Sequence, residues 1–304
     1  MEQEYWKWPE SSWTSKEIDW KSAKAVTAGV DVGTTGTQAA IMCDEKLFGY
    51  ANIHTGGSFK KSAKIAVEKA MGASGMALTD IRGIMGTGAG GRNVEFAGGF
   101  MDGVRCQGRG ARFLYGPEVH TVVDLGGQSC TAIRLYDWDR VWDFMMNDKC
   151  ATGIGRNIEF MCDMLQVPIQ EIGPMSLEVE TDPEPVATSC YCFADTETMG
   201  LFGRPEYRSA PLTENEVYAK YLFAVAWRCL STIGKLQPMD VGDIRIHYPE
   251  LGFTGGLAKN PGITKRIERE LKITALTSEY DPQLAGAIGA ALLAPAETDR
   301  RQRQ

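Results

Sequence analysis

The feature that most constrains the fold of this chain is an internal repeat. The segments GVDVGTTGTQAAI (residues 29–41) and VVDLGGQSCTAI (residues 122–133) follow one pattern: an apolar run, an aspartate, a turn of glycine with hydroxyl or amide residues, and a second apolar run. Each unit predicts two β-strands joined by a tight turn. Two copies predict two similar lobes that face each other, with a ligand in the cleft between them.

The length of 304 residues also favours two lobes over one small core. We expect an N-terminal arm over residues 1–24, a first lobe over residues 25–118 and a second lobe over residues 119–304. The arm holds four of the seven tryptophans, Trp6, Trp8, Trp13 and Trp20. It shows no apolar periodicity, so it is either a tail lying on its own domain or an anchor to a partner subunit, since tryptophan is favoured at interfaces.

Other segments predict the elements around the repeat. KLFGYANIH is typical of a third strand, IRGIMGTGAGG of a strand that ends in a glycine loop, and residues 60–72 of a helix. Residues 213–236 predict a long amphipathic helix, with Thr213 as its N-cap and Glu216 three residues later. Near the C-terminus, ELGFTGGLAKNPGITKRIEREL predicts strand, glycine turn and helix, and PQLAGAIGAALLA predicts a small-residue helix suited to close packing.

Charge and composition exclude several classes of function. The net charge of −7 argues against a nucleic-acid-binding surface. The sequence shows no apolar run of membrane-spanning length and no signal peptide, so we expect a cytoplasmic protein that acts away from membranes. The eight cysteines of such a chain are not expected to form a disulfide framework, and most should be small buried side chains.

The two repeated turns predict a phosphate site. Successive backbone N–H groups of such a turn form an anion-binding concavity, and the aspartate holds Mg²⁺ or orients an attacking water. The predicted residues of the first turn are Asp31, Gly33, Thr34, Thr35 and Thr37. Those of the second turn are Asp124, Gly126, Gly127 and Gln128. Either turn alone would be an ordinary hairpin, but the repeat with its aspartates in register favours binding of a polyphosphate.

A third glycine turn in FTGGLAKNPG completes the predicted nucleotide site. Gly255 and Gly256 allow the backbone to approach a flat ring closely, which suits adenosine, and Asn260 is included with them. The alternative is a bare connection between strand and helix. The sequence contains no Walker A motif, so it is not a P-loop ATPase. The expected ligands are therefore ATP or ADP with Mg²⁺.

The order Asp-x-Gly-Thr-Thr-Gly-Thr, Asp-x-Gly-Gly-Gln, Thr-Gly-Gly resembles the superfamily of sugar kinases, acetate kinase, actin and heat-shock chaperones. The resemblance implies an α/β class with a duplicated actin-like, sugar-kinase-like ATPase fold of two ribonuclease-H-like lobes. Two further segments, NDKCATGIGRNIEFMCDML (147–165) and TSCYCFADTETMGL (188–201), are more specific. They resemble the ATPase subunits of benzoyl-CoA reductase and the related activators of 2-hydroxyacyl-CoA dehydratases, over roughly residues 25–293.

This resemblance implies a redox function. In the family two ATPase subunits share one [4Fe–4S] cluster, and each gives two cysteines, here Cys150 and Cys190. A thiolate beside a glycine turn and a helix N-terminus is favoured by backbone N–H groups and the helix dipole. Cys192 is left open as an alternative to Cys190. The remaining cysteines are expected in the core: Cys43, Cys106, Cys130, Cys162 and Cys229.

The family further implies that ATP hydrolysis and closure of the lobes drive low-potential electron transfer from ferredoxin to substrate-reducing partner subunits. The expected function is the ATPase subunit of benzoyl-CoA reductase, with a second ATPase subunit across the cluster. The chain has Ser129 where activators usually carry aspartate, and the tryptophan-rich arm favours the reductase. The alternatives are a homodimeric dehydratase activator, a small-molecule kinase of the N-acetylhexosamine or pantothenate type without a cluster, and an actin-like or chaperone-like switch.

Overall fold

The computed structural model describes residues 4–136, 140–147, 150–203, 212–241 and 244–294. Two β-sheets form the framework of these residues, and each carries one copy of the repeat. Among the described helices, none is both long and apolar enough to cross a bilayer. The elements below are numbered in chain order.

The first sheet has six strands: β1 (Ser11–Thr14), β2 (Val26–Val32), β3 (Gly36–Cys43), β4 (Lys46–His54), β5 (Gly83–Thr87) and β6 (Gly99–Phe100). Their order across the sheet is β1-β4-β3-β2-β5-β6. The predicted strands of the first repeat and of KLFGYANIH are confirmed. Alternate residues of β3 enter different buried clusters, Ile41 with helix residues on one face and Met42 on the other. Because both faces are covered, β3 is a continuous apolar run.

Two helices follow in this first part of the chain, α1 (Phe59–Met71) and α2 (Gly103–Tyr115). Helix α1 begins where Ser58 accepts a hydrogen bond from the Lys61 N–H, and it ends at Gly72, whose φ is 54°. Asp102 caps α2 by accepting from the Arg105 N–H at 3.0 Å. The helix predicted over residues 60–72 is thus confirmed.

The second sheet contains β7 (Thr121–Leu125), β8 (Cys130–Tyr136), β9 (Arg140–Met146) and, parallel to β7, β12 (Leu251–Thr254). A separate hairpin joins β10 (Met239–Val241) and β11 (Ile244–Ile246). The helices are α3 (Gly155–Leu165), α4 (Ile172–Met175), α5 (Tyr191–Gly203), α6 (Glu214–Ile233), α7 (Pro261–Leu271) and α8 (Ala285–Leu293). The predicted strand-turn-helix unit near the C-terminus is confirmed as β12 and α7.

Helix α6 forms because its first turn is capped as the sequence indicates. The Thr213 Oγ1 accepts from the Glu216 N–H at 3.2 Å, and the Glu216 carboxylate accepts from the Thr213 N–H at 2.7 Å. This reciprocal pair satisfies two N–H groups that a helix start otherwise leaves without a partner. The buried face of α6 then contributes to the core under the second sheet.

The two copies of the repeat fold into the same hairpin. In the first, Asp31 pairs with Gln38 and the Gly33 N–H donates to the Gly36 carbonyl at 2.9 Å. In the second, Asp124 pairs with Thr131, and the Gly126 N–H donates to the Ser129 carbonyl at 2.9 Å. The inferred repeat is therefore a repeat of backbone geometry as well as of sequence.

Helix α8 returns to the first sheet, although it follows the strands of the second sheet in the chain. A Cβ at Gly289 would lie 1.8 Å from the Cys106 carbonyl oxygen of α2, and one at Gly29 of β2 would lie 2.0 Å from the Ala287 carbonyl oxygen. Contacts this short require glycine. The small-residue helix predicted to pack closely does so, against α2 and β2.

The described part of the tryptophan-rich arm lies on its own chain. Strand β1 pairs antiparallel with β4, and Ile18 and Trp20 pack against the buried cluster of the first sheet. The Trp20 indole N–H donates to the Ser74 carbonyl at 3.2 Å. These described residues of the arm therefore lie on their own chain, and the anchoring of the arm to a partner subunit stays a prediction.

Candidate functional site

A cavity of about 600 Å³ lies between the two sheets, where the glycine turns converge. It has the size of a small-molecule site. Most of the predicted nucleotide residues line it: Asp31, Gly33, Thr34, Thr35, Asp124, Gly126, Gly127, Gln128, Gly255 and Gly256.

Two predicted residues do not line this cavity. Thr37 is fully buried, and its Oγ1 lies 2.7 Å from the Thr55 Oγ1. Successive side chains of a strand point to opposite faces, so Thr37 is turned away from the face that Gln38 shares with the cavity. Asn260 is 1% exposed and lies behind the third turn, against Gly173. Both residues therefore support the turns from behind.

The turns from the two lobes are in contact. A Cβ at Gly127 would lie 2.7 Å from the Thr35 Oγ1 and 2.8 Å from the Thr34 Oγ1, so glycine permits this approach. Gly255 has a φ of 86°, and a Cβ there would lie 2.6 Å from the Asp124 Oδ1. Among the described residues, the backbone N–H groups of Gly127 and Gln128 donate to no protein acceptor. These N–H groups are therefore free to receive an anion.

Two buried carboxyl groups stand at the base of the turns. Burial raises the pKa of Asp31 to about 6. Burial, and after it the charge of Asp31, raises the pKa of Asp124 to about 7, while Thr254 donates a hydrogen bond that opposes this shift. A divalent cation beside them would favour the ionised forms.

The carboxylate oxygens at the base of the turns suit a Mg²⁺ ion whose other coordination positions are filled by a bound ligand. Among the described residues, no group of three or more histidine, cysteine, aspartate or glutamate side chains converges as a metal cage. Mg²⁺ in proteins is commonly held by one or two carboxylates together with substrate phosphates and water. Asp31 and Asp124 offer the hard oxygen ligands of such a site.

The loop that carries Cys150 is hydrogen-bonded to the second turn. The N–H groups of Ile154 and Arg156 donate to the Gly127 carbonyl at 3.1 and 3.0 Å, and the Gly155 N–H donates to the Gly126 carbonyl at 3.2 Å. The Gln128 side-chain amide donates to the Cys150 carbonyl. The backbone of the second turn and the start of α3 therefore form one unit.

The Cys150 thiol is partly exposed in an environment that favours its thiolate. Burial raises the pKa of this thiol, but hydrogen bonds from Thr152 and Gly153 and the charge of Arg228 outweigh it, so the net pKa is lowered. Arg228 itself lies 3.6 Å from the centre of the Tyr191 ring. A lowered thiol pKa is typical of cysteines that bind metals or react.

The second cysteine segment lies beside the first. Cys190 is partly exposed and immediately precedes α5, where its carbonyl accepts from the Ala194 N–H at 3.0 Å. Cys192 is exposed in the first turn of α5, with its Sγ 3.6 Å from the Thr152 Oγ1. Because the segment is helical, Cys190 and Cys192 do not share a face as they would on a strand.

The other cysteines are confirmed as core residues: Cys43, Cys106, Cys130, Cys162 and Cys229 are all buried. The partly exposed pair suits thiolate ligation of an iron–sulfur cluster, but a single chain offers too few thiols. A [4Fe–4S] cluster takes four thiolates, so it would need a second copy or a related subunit.

Several residues at the cavity were missed from the sequence. Glu159 lines it from α3; burial raises the pKa of this carboxyl to about 7, and a hydrogen bond from Thr35 opposes the shift. Glu159 lies one helical turn after Gly155, so its spacing from the glycine turn was the available signal. Asn52 links β3 to the segment that precedes α8, since it accepts from Gln38 at 2.8 Å and donates to Gln283 at 2.9 Å. No local pattern marks Asn52.

The sequence model described as the BadF/BadG/BcrA/BcrD ATPase family matches residues 28–294. The activator of lactoyl-CoA dehydratase from Anaerotignum propionicum is 32% identical, over 88% of this chain and 96% of the relative. One of the subunits of benzoyl-CoA reductase from Thauera aromatica is 27% identical, over 88% of this chain and 92% of the relative.

Solved structures confirm the predicted fold class. The activator of the 2-hydroxyisocaproyl-CoA dehydratase from Clostridium difficile, with bound ADPNP, superposes with a TM-score of 0.78 at 29% identity, covering 91% of this chain and 97% of that one. A ROK family glucokinase from Streptomyces griseus gives a TM-score of 0.50 at 12% identity, covering 89% and 99%, which supports the fold alone. The architecture is a duplicated actin-like fold.

Proposed function

Because the chain belongs to the BadF/BadG/BcrA/BcrD ATPase family, we propose that it uses ATP hydrolysis to deliver low-potential electrons to a partner enzyme that acts on an acyl-CoA thioester. The observation that carries this proposal is the set of backbone hydrogen bonds between the second glycine turn and the Cys150 loop. They join the predicted phosphate site and the predicted metal ligands in one rigid segment.

Within this proposal, a 2-hydroxyacyl-CoA dehydratase activator is favoured over a benzoyl-CoA reductase component. The dehydratase activator of Anaerotignum propionicum is 32% identical to the chain, against 27% for the reductase component. The tryptophan-rich arm also gives less support to the reductase component, because its described residues pack on their own chain. The reductase component, which the sequence favoured, stays as the second candidate on the strength of that 27% identity.

The nucleotide step uses groups from both lobes. Gly127 and Gln128 offer free N–H groups to the phosphates, and Gly255 and Gly256 leave room for the adenosine. Asp31 and Asp124 would hold Mg²⁺ and orient the water that attacks the γ-phosphorus, so that a P–O bond forms to this water as the bond to the leaving ADP oxygen breaks. The proton of that water is accepted by one of these two carboxylates.

The cysteine pair is assigned to a [4Fe–4S] cluster shared with a second subunit. Such a cluster supplies one-electron transfer at low potential when it is bound. Cys150 and Cys190 provide two thiolates, and the N–H groups of Thr152 and Gly153 beside Cys150 stabilise negative charge on its sulfur. Ferredoxin is the proposed electron donor.

Phosphate binding at the second turn bears directly on the Cys150 loop. A phosphate that binds the N–H groups of Gly127 and Gln128 pulls on the same residues whose carbonyl and side-chain groups hold α3 and Cys150. Loss of that phosphate on hydrolysis relaxes the turn and the loop together. The loop then has two arrangements, one with phosphate on the turn and one without it. A nucleotide that binds the protein more tightly in one of these arrangements shifts the equilibrium toward it.

The proposal is tested by anaerobic purification followed by iron analysis and measurement of native mass. We expect about 2 iron atoms per chain, from four irons shared by two chains, with visible absorption. Cys150→Ser and Cys190→Ser should each lose the iron, while ADP binding remains. Cys192→Ser is the matched control, and loss of iron in that variant alone would transfer the ligand role to Cys192.

The mass separates the two candidates. A homodimer that binds its acceptor only transiently supports the activator, and a stable hetero-oligomer supports the reductase component. A colourless, iron-free protein that phosphorylates a small molecule would overturn the redox proposal and leave a kinase of the same fold.

A further inference from the structure

Residues 4–14, here called the strap, run across the mouth of the cavity and are fixed to the first lobe. Strand β1 within the strap pairs with β4 over four residues, from Ser11 opposite Asn52 to Thr14 opposite Gly49. The Glu10 carboxylate accepts from the His54 N–H at 3.2 Å and from the Lys69 ammonium at 2.8 Å. The first lobe therefore holds the C-terminal half of the strap by backbone pairing and by charge.

The other end of the strap is attached to the second lobe by fewer contacts. The Ile169 N–H donates to the Tyr5 carbonyl at 2.9 Å. Trp8 packs against the buried cluster under the second sheet, and the Lys259 ammonium lies 5.1 Å from the centre of its ring. Lys259 is held in turn by Asp281 at 3.2 Å. The strap thus joins the two lobes across the cleft.

Between these anchors, two tryptophans form a wall of the cavity. Trp6 and Trp8 both line it, together with residues of all three glycine turns. The Trp6 ring meets His54 edge-on, with 4.6 Å between ring centres. Trp6 also lines a neighbouring recess of about 450 Å³ that it shares with Thr34, Thr35 and Glu159. Trp6 therefore stands at the rim, beside the first phosphate turn.

The family match begins at residue 28, so the strap lies outside it. The lactoyl-CoA dehydratase activator is matched over 96% of its length by 88% of this chain. The glycine turns lie within the matched residues 28–294, whereas Trp6 and Trp8 lie before them.

We propose that Trp6 and Trp8 belong to the nucleotide site and that the strap retains bound nucleotide by joining the lobes around it. This inference rests on the proposed function, because it assumes that the cavity binds ATP and ADP. The indole rings act as positioning residues: they exclude water from one side of the cavity and oppose the separation of the lobes that release requires.

The distribution of contacts indicates which end of the strap detaches first. Four paired residues and two carboxylate contacts hold the first lobe, against one backbone hydrogen bond and the seat of Trp8 on the second. The seat of Trp8 consists of aromatic packing and one cation–π contact, which are weaker together than a paired strand with two charged contacts. Release of nucleotide therefore begins with Trp8 leaving Lys259, while β1 stays paired with β4.

The test is the dissociation rate of a fluorescent ADP, mant-ADP, from the cluster-loaded protein by stopped flow. We expect Trp8→Ala to accelerate dissociation about tenfold, as follows from the loss of one such ring contact. Trp6→Ala should accelerate it less, because the Trp6 ring meets His54 of the first lobe rather than a group of the second. Trp8→Phe should restore most of the slow rate, since it keeps an aromatic ring on Lys259.

The matched control is Trp13→Ala. Trp13 belongs to the same strap and is 46% exposed, but it lies on β1 against Tyr50 and does not line the cavity. This variant should release mant-ADP at the wild-type rate. A thermal unfolding midpoint measured without nucleotide checks that each variant is folded.

Steady-state kinetics separate positioning from simple loss of structure. Trp8→Ala should raise the KM for ATP while its kcat does not fall, because the aspartates and glycine turns are unchanged. Equal dissociation rates for wild type, Trp8→Ala and Trp13→Ala would overturn the inference and leave the proposed function standing. Failure of the wild-type protein to bind mant-ADP would instead overturn the proposed function.

Discussion

The two glycine turns have the same hairpin geometry but differ in the groups that donate hydrogen bonds to their carbonyl oxygens. In the first turn, the Gly33 and Thr35 carbonyls accept from the side chain and the backbone N–H of Thr55, at 3.0 and 2.9 Å. Thr55 follows β4 directly, so these bonds stay within the first lobe. In the second turn, the Gly126 and Gly127 carbonyls accept from the N–H groups at the start of α3.

This difference places the two copies of one hairpin in different surroundings. Both turns contribute an aspartate and glycine residues to the lining of the same cavity. The carbonyl groups of the first turn are hydrogen-bonded to a residue that follows its own sheet. Those of the second turn are hydrogen-bonded to the segment that follows Cys150. We therefore expect changes in the first turn to affect nucleotide handling alone, and changes in the second to affect the cysteine loop as well.

The largest expected effect comes from the aspartates, for which the two turns should behave alike. In the proposed mechanism, Asp124→Asn removes a charge that would hold Mg²⁺ and could accept the proton of the attacking water. We expect ATPase activity to fall by about 10²–10⁴-fold, the usual range for loss of a positioned acid or base. Asp31→Asn should have the same direction of effect. Steady-state phosphate release measures this.

Iron content serves as the control in both aspartate variants. It should remain at the wild-type level, because neither carboxyl group contacts the cysteine loop through a described hydrogen bond. Normal ATP turnover in Asp124→Asn would discredit the assignment.

The next effect separates the turns. Gly153 has a φ of 74°, and a Cβ there would lie 2.7 Å from the Gly127 carbonyl oxygen. Gly153→Ala should lower the free energy of unfolding by about 2 kcal/mol, since a left-handed backbone alone costs a residue with a Cβ roughly 1–2 kcal/mol. It should also reduce iron retention. Urea unfolding and iron analysis measure the two effects.

Gly75→Ala is the matched control for this clash. Gly75 has a φ of 71°, but nothing lies within 4 Å of a Cβ at that position. It should therefore show the backbone cost without the loss of iron. If both variants retain iron equally, the contact between the second turn and the cysteine loop is not what holds the loop in place.

A pH-dependent effect tests Glu159, which reaches from α3 to the first turn. Burial raises its pKa to about 7, above the ordinary value of 4.5. A carboxyl group with a raised pKa binds its proton more tightly when folded, so its contribution to stability falls as the pH rises from about 4.5 through about 7. Glu159→Gln cannot ionise and should gain about 1–2 kcal/mol relative to wild type above this range.

Denaturant unfolding of nucleotide-free protein at pH 5 and pH 8 measures this difference. Asp163→Asn, on the exposed side of the same helix, controls for the removal of one negative charge. A constant difference between Glu159→Gln and wild type at both pH values would contradict the expected burial of the carboxyl group.

The smallest expected effect is confined to the first turn. Thr55→Val removes a hydroxyl that donates to the Gly33 carbonyl and contacts the Thr37 Oγ1, worth about 1 kcal/mol for a typical hydrogen bond. The KM for ATP should rise a fewfold, on the order of fivefold for that energy, and iron should be unchanged. Loss of iron in this variant would show that the first turn also reaches the cysteine loop.

The repeat was readable from the sequence because its signal is local. Strand, aspartate and turn occupy a dozen neighbouring residues, and the cap formed by Thr213 and Glu216 spans a single helical turn. The burial of most cysteines followed from the general behaviour of small sulfur side chains. These features are decided by short-range physics, so they could be predicted before the fold was known.

The remaining features depend on contacts between distant segments. The motif predicts that Thr37 belongs to the site, but the alternation of side chains along β3 places its side chain on the face opposite to the cavity. The tryptophans of the strap reach the cavity because β1 pairs with β4. Asn52 of β4 reaches it beside the distant segment that contains Gln283. Local patterns carry no information on such juxtapositions, which is why the wall of the cavity was missed.

The return of α8 to the first sheet has a consequence for synthesis on the ribosome. Residues 285–291 are all buried, and Gly286 lies so close to Asp31 that a Cβ would be 1.9 Å from its Oδ2. During translation β2 emerges long before α8, so one face of the N-terminal sheet and its aspartate stay uncovered until α8 leaves the exit tunnel. The nascent chain therefore cannot complete the cavity between the sheets one sheet at a time.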